Sequence, residues 1–159
     1  MVKNIKKTKE VSDGCDTCSA EDALDGVDWT YGKEVKKHFF KPKNILFDEF
    51  GYEAHGMSLV TSQSCGDTMK LWIKVNKKTG KIKECKWRSF GCAASIATTS
   101  MMSVMVTEKG GMTIKQAQNL KPQQIVNRLG GLPTRKVHCS HLCHDALQKA
   151  VLDYLSKVC

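Results

Sequence analysis

Three cysteines of this chain stand close to other residue types that bind metals. Cys65 precedes Asp67 by two residues, Cys92 follows a Phe-Gly pair, and Cys139 follows His138 directly. Thiolates combined with one carboxylate and one imidazole suit zinc or an iron–sulfur centre. These residue types therefore predict a metal site.

The spacing of the three cysteines differs from that of compact metal-binding motifs. Cys65, Cys92 and Cys139 are dispersed, unlike the paired cysteines of a zinc ribbon or the cysteine run of a bacterial ferredoxin. A single cysteine is more often a small buried apolar residue. All three are predicted at ends of helices or strands, where loops converge, and a helix N-terminus favours thiolate over thiol. Together these positions favour a metal site over three core cysteines.

The chain has five further cysteines. Cys143 lies one helical turn after the third candidate ligand, on the same helix face. It could be an extra ligand, a resolving thiol or a core cysteine, and its apolar neighbours favour the core. Cys15 and Cys18 form a CxxC pair with metal-binding or redox capacity and no assigned role. No role is predicted for Cys85 and Cys159.

The elements that position these residues follow an α+β pattern. Residues 69–75 alternate between apolar and polar types, the period of a half-buried strand. A turn at residues 77–80 leads to a returning strand over 82–90, and residues 57–62 predict a third strand. We expect a small three-stranded antiparallel sheet covered on one face by helices.

Helical patterns flank the predicted strands. One helix ends before Pro42, and another runs from residue 92 to about residue 108, closed by two glycines. Thr113 begins a capping box, and a short helix spans 122–130. The longest helix, over residues 138–156, carries a continuous apolar stripe. A long C-terminal helix is therefore part of the predicted fold.

Composition predicts one folded domain after an N-terminal extension. Residues 1–26 hold lysines and then an acidic stretch with few apolar residues, which predicts a poorly ordered extension carrying the CxxC pair. Residues 27–159 form the expected domain.

Composition also limits which cellular compartment and which classes of partner are expected. The first ten residues lack an apolar secretory segment, so the eight cysteines point to a reducing cytoplasm rather than a disulfide scaffold. No apolar run approaches the about 18 residues of a membrane span. The net charge is +9, but aromatics are few and are not interleaved with a basic run, so no nucleic-acid partner is predicted.

Several segments in the same order resemble one protein family. The segments are Cys65-Gly66-Asp67, residues 69–75, Phe90-Gly91-Cys92-Ala93-Ala94-Ser95-Ile96-Ala97 and Lys136-Val137-His138-Cys139-Ser140, with His38-Phe39-Phe40-Lys41-Pro42-Lys43-Asn44 before them and Asp145-Ala146-Leu147 and Asp153-Tyr154 after. Over residues 30–157 the chain closely resembles the IscU family, which includes the N-terminal domain of NifU.

The resemblance implies a scaffold rather than an enzyme. Such a scaffold assembles a 2Fe–2S cluster from iron and from sulfur delivered by a cysteine desulfurase, with electrons from a ferredoxin-like donor. The cluster then passes to apo acceptor proteins. Whether the chain acts as a monomer or a homodimer stays open.

The resemblance also implies roles for individual residues. Cys65, Cys92 and Cys139 match cluster ligands, and Asp67 and His138 match additional metal ligands. Cys139 matches the persulfide acceptor, Lys136 matches a lysine close to the site, and Asp67 is associated with cluster lability.

One segment departs from the family pattern. The family's chaperone-recognition stretch is typically Leu-Pro-Pro-Val-Lys, whereas this chain has Leu132-Pro133-Thr134-Arg135-Lys136. The question of a dedicated heat-shock chaperone as partner therefore stays open.

Two other functions use the same residues. One is a structural or regulatory zinc protein with zinc held by Asp67, Cys92, His138 and Cys139. The other is a thiol enzyme using Cys139 with His138, which leaves Cys65 and Cys92 without a role.

Overall fold

The structure, a computed structural model, describes residues 31–63 and 65–158. The predicted extension over residues 1–26, with its CxxC pair, lies outside the described residues, as does Cys159. The described residues form an α+β fold with one sheet, as predicted.

The sheet contains three antiparallel strands in the order of the chain. They are β1 (Gly56–Thr61), β2 (Thr68–Asn76) and β3 (Lys81–Phe90). β2 lies in the centre and pairs with both neighbours. The alternation over 69–75 correctly predicted β2, and the turn before Lys81 correctly predicted the β2–β3 hairpin.

Helices cover one face of this sheet. The apolar residues of β2 (Met69, Leu71, Ile73 and Val75) are all buried. Against this face pack two helices, α2 (Ala93–Thr107) and α5 (His138–Val158), the long C-terminal helix expected from the sequence. Three shorter helices complete the fold: α1 (Lys33–Phe40), α3 (Ile114–Asn119) and α4 (Pro122–Arg128). None of the described helices is long and apolar enough to cross a membrane.

The opposite face of the sheet is partly covered by the segment between α1 and β1. Trp72 is on this face and is nevertheless buried, with Lys70 Nζ 5.1 Å from its ring centre. Glu49 forms an ion pair with Lys70, and the Tyr52 hydroxyl donates a hydrogen bond of 3.1 Å to Glu84. The tryptophan on β2 therefore packs within the fold.

The junction between α2 and α3 is tied to β3 by backbone contacts. Ile82 N–H donates to the carbonyl of Met112 at 2.8 Å, and the predicted capping box is present at Thr113. Gly111 has φ +87° and ψ 149°, a conformation that is essentially restricted to glycine. A Cβ at this position would lie 2.1 Å from the Ile82 carbonyl oxygen.

We expect Gly111→Ala to lower the free energy of unfolding by about 3 kcal/mol or more, since strain and overlap act together. Gly110→Ala is the matched control, because Gly110 also has positive φ (+85°) but open space at its Cβ position. The control should lose about 1 kcal/mol. Urea unfolding of both variants measures the difference, and equal losses would contradict the contact with Ile82.

Candidate metal centre

Three side chains from distant parts of the chain converge at one end of the sheet. Asp67 immediately precedes β2, Cys92 lies between β3 and α2, and Cys139 is the second residue of α5. Because Thr68 pairs with Phe90 across the hairpin, Asp67 lies beside Gly91, the residue that precedes Cys92. The sulfur atoms and a carboxylate oxygen of the three side chains all lie within 4.8 Å of one another. We call Asp67, Cys92 and Cys139 the ligand trio.

The two thiols of the trio are in direct contact. Cys92 Sγ lies 3.7 Å from Cys139 Sγ; Cys139 is fully buried and Cys92 is half-buried. The hydrogen bond with Cys139 lowers the pKa of Cys92, while burial opposes this effect. The same hydrogen bond, burial and the Cys92 charge raise the pKa of Cys139. The pKa values of the two thiols therefore move apart, which favours the thiolate form at Cys92 over that at Cys139.

A glycine leaves room for the Asp67 carboxylate beside the two thiols. The backbone N–H of Cys92 donates to Asp67 Oδ2 at 3.4 Å, and only 7 % of Asp67 is exposed. A Cβ on Gly91 would lie 2.9 Å from Asp67 Cγ and Oδ2. Glycine at position 91 thus makes room for the carboxylate.

Lys136 supplies positive charge beside the trio. It precedes α5 by two residues, in a short 3₁₀ turn spanning Thr134–Lys136. The charge of Cys92 raises the pKa of Lys136, to which a hydrogen bond with Cys92 also contributes. The ammonium group therefore partly balances the negative charge of the trio.

The remaining predicted ligands lie at the margin of the trio. His138 Nε2 is 3.6 Å from Cys139 Sγ, beside the pair. Cys65 is exposed on the loop between β1 and β2, and it does not join the trio's close contacts. Its charge still contributes to the raised pKa of Cys139. The structure thus brings three of the five predicted ligands together and leaves two beside them.

Cys143 and Cys85 occupy the hydrophobic core. Both are buried, and the Cys143 thiol donates to the Ser140 carbonyl at 3.2 Å. Burial raises the pKa of each thiol to about 12. Within the described residues, neither belongs to the close group of metal-binding side chains. This placement agrees with the interpretation of Cys143 as a core residue.

Two residues next to the trio were given no role from the sequence. Gly91 accommodates the Asp67 carboxylate, and Ser95 lies in the first turn of α2 with its hydroxyl fully buried. The Phe-Gly-Cys motif pointed to Gly91, but nothing in the sequence separates Ser95 from the other hydroxyl residues of α2.

The donor set of two thiols and one carboxylate fits a soft or borderline metal. Two sulfur ligands favour zinc, iron or an iron–sulfur centre, whereas a carboxylate is a harder ligand for such a centre. The close contact of all three groups shows that one metal ion could contact them together.

Comparisons with known proteins identify relatives of the chain. A family model described as the NifU-like N-terminal domain matches residues 30–159. The iron–sulfur cluster assembly scaffold protein IscU 1 of Archaeoglobus fulgidus is 41 % identical over 127 residues, which cover 80 % of this chain and 78 % of that protein. The IscU scaffold protein of Aquifex aeolicus is 37 % identical over 131 residues, covering 82 % and 80 %.

Solved structures share the fold. The N-terminal part of a NifU-like protein from Brucella abortus has a TM-score of 0.57 at 18 % identity, covering 79 % of this chain and 94 % of that chain. A putative scaffold protein for the SUF system from Fervidobacterium islandicum has a TM-score of 0.53 at 22 % identity, with coverages of 76 % and 96 %. At these identities the likeness concerns the fold alone.

Proposed function

The chain belongs to the NifU-like N-terminal-domain family, and on that premise we propose that it is an assembly scaffold for iron–sulfur clusters. Its cargo is a 2Fe–2S cluster that is built from iron and sulfur and then passed to apo acceptor proteins. The observation that carries the proposal is the ligand trio, in which the thiols of Cys92 and Cys139 lie 3.7 Å apart beside the Asp67 carboxylate. The names of the relatives agree with this function.

We propose that Cys65 supplies the third thiolate. It lies on the loop that leads to Asp67, and it is exposed, so its side chain is free to turn toward the trio when iron enters. Asp67 and His138 then compete for the fourth position. A hard oxygen ligand at that position favours exchange of the cargo over permanent binding.

Sulfur delivery requires a donor of the cysteine desulfurase class. Cys139 first gives its proton to the neighbouring Cys92 thiolate, 3.7 Å away. The Cys139 thiolate then attacks the terminal sulfur of the donor's persulfide; a new S–S bond forms on Cys139, the donor's S–S bond breaks, and the donor cysteine leaves as thiolate. Two electrons from a ferredoxin-like donor and two protons then convert the transferred sulfur to sulfide and return Cys139 to the thiol. Because Cys139 is fully buried, its neighbours must move before the attack.

The cytoplasm is the proposed location, because a chain of this size with eight cysteines and a thiol-based metal site suits a reducing compartment. The name of one relative, from Candida glabrata, gives a mitochondrial location, but that location is stated for that protein alone.

Anaerobic reconstitution tests the function. The purified chain is incubated with ferrous iron, cysteine, a desulfurase and a reduced ferredoxin as electron donor, in the presence and absence of zinc. It is then analysed for iron, zinc, sulfide and Mössbauer spectrum. We expect two irons and two sulfides for each cluster and a brown protein. A colourless protein that takes up zinc but no sulfide would contradict the scaffold function and favour the zinc alternative.

We expect Cys139→Ser to abolish persulfide formation on the scaffold while leaving the fold intact. Serine keeps the size of the side chain but cannot form the new S–S bond. Mass spectrometry with peptide mapping after incubation with desulfurase and cysteine locates the sulfur adduct. Cys65→Ser is the matched control and should keep the adduct on Cys139. Full labelling of Cys139→Ser on Cys65 or Cys143 would refute this assignment.

A further inference from the structure

A buried hydroxyl group beside the ligand trio has no partner. Within the described residues, Ser95 Oγ is the only buried side-chain nitrogen or oxygen without a hydrogen bond. Ser95 is fully buried, so the hydroxyl has no access to bulk water. A buried donor left unpaired costs roughly 1–3 kcal/mol. Such a group in a folded protein calls for an explanation.

The other hydroxyl groups of α2 are all paired. Thr98 and Thr99 donate to the Ser95 carbonyl, at 3.0 and 2.7 Å, and Ser103 donates to the Ser100 carbonyl at 2.7 Å. Ser100 Oγ contacts His38 Nδ1 at 2.8 Å. These pairings show that the helix readily satisfies its hydroxyl groups. The exception at Ser95 is therefore specific to its position.

The hydroxyl of Ser95 lies beside Gly91, the residue that precedes Cys92. A Cβ built on Gly91 would lie 3.0 Å from Ser95 Oγ. The same Cβ would lie 2.9 Å from Asp67 Oδ2. The hydroxyl thus lies beside the space at Gly91 that the Asp67 carboxylate also borders.

We infer that Ser95 is a positioning residue whose hydroxyl donates a hydrogen bond to a sulfur atom of the bound cluster. This inference rests on the proposed scaffold function. The sulfides and thiolates of an iron–sulfur cluster carry negative charge and accept hydrogen bonds. The cargo therefore brings the acceptor that the protein lacks, and the unpaired hydroxyl favours the loaded state over the empty one.

The inference predicts opposite effects in the empty and loaded forms. Removing an unpaired hydroxyl is neutral or stabilising, so Ser95→Ala should not lower the urea midpoint of the empty protein. In the loaded protein the same variant should lose its cluster about 3- to 10-fold faster, the equivalent of one hydrogen bond. Its reduction potential should also fall, since hydrogen bonds to cluster sulfurs tune that potential.

Ser103→Ala is the matched control. It removes a buried hydroxyl from the same helix, but one that donates to Ser100 and accepts from Asn44. This control should destabilise the empty protein while leaving cluster lifetime and potential unchanged. Resonance Raman spectra add a direct readout, because the iron–sulfur stretching bands should shift in D₂O in the natural protein and shift less in Ser95→Ala.

The outcomes separate this inference from the function on which it rests. If the natural protein assembles no cluster, the proposed function fails and the inference fails with it. If the natural protein assembles a cluster and Ser95→Ala has the same lifetime, potential and Raman shift, only the inference is refuted. Destabilisation of empty Ser95→Ala to the extent seen in Ser103→Ala would show a partner already present without cargo, and would also refute it.

Discussion

Replacing Cys92 with alanine should abolish stable cluster assembly. The sulfur of Cys92 lies 3.7 Å from the Cys139 sulfur, and in the proposed function it is one of the three thiolates that hold the cluster. Since loss of an outer-shell partner alone costs about 10- to 100-fold in metal affinity, loss of a ligand should exceed that range. Iron and sulfide content after anaerobic reconstitution measures the effect.

The fold should survive this substitution. Cys92 is the N-cap residue of α2 but makes no capping hydrogen bond through its side chain, so alanine removes little stabilisation. Cys92→Ser is the matched control, because serine is a good N-cap residue but a poor ligand for the cluster. Both variants should unfold at a urea concentration close to that of the natural protein. A normal cluster yield and spectrum in Cys92→Ala would show that Cys92 is not a ligand.

Replacing Asp67 with alanine should prolong the lifetime of the cluster in air severalfold and slow its transfer to an acceptor. The carboxylate is the hardest group of the trio, and one of its oxygens lies within 4.8 Å of both sulfurs. Without Asp67, the remaining ligands are mostly thiolates, which bind the cluster more firmly and release it more slowly. Absorbance of the cluster with time, in air and with an apo ferredoxin as acceptor, gives both rates.

Asp67→Asn tests whether charge or bulk is responsible. Asparagine keeps the size of the side chain and an oxygen that can accept from the backbone N–H of Cys92, which lies 3.4 Å away. It lacks the negative charge that makes aspartate a metal ligand. We expect it to behave like alanine. Faster decay in both variants would show that Asp67 holds the cluster instead of loosening it.

Local patterns predicted most elements of this fold. The alternation in β2 and the turn before β3 depend on neighbours in sequence, and the structure contains both elements. The capping box at Thr113 is equally local, and it is present with its reciprocal hydrogen bonds. The burial of Trp72 does not follow from the local pattern of β2, because it depends on residues 49–52, which lie over this face of the sheet.

The candidate site was predictable in its residue types but not in its geometry. Motif resemblance pointed to Asp67, Cys92 and Cys139, and the structure places them together. Which of the predicted ligands lie close together could not be predicted from the sequence, because this depends on how α5 packs against β1, β2 and α2. For the same reason nothing distinguished Ser95 from its hydroxyl-bearing neighbours. Their hydrogen-bond partners become known only after packing.

The wide separation of the trio along the chain has a consequence for chain entropy. Asp67 and Cys92 are 25 residues apart, and Cys92 and Cys139 are 47 apart. A metal centre that joins them acts as a cross-link closing two loops, and a covalent link closing loops of that size restricts the unfolded chain by about 3–4 kcal/mol each. Reversible metal ligation should supply part of this restriction. The cargo thus protects its carrier from unfolding and proteolysis, and each transfer to an acceptor gives that protection up.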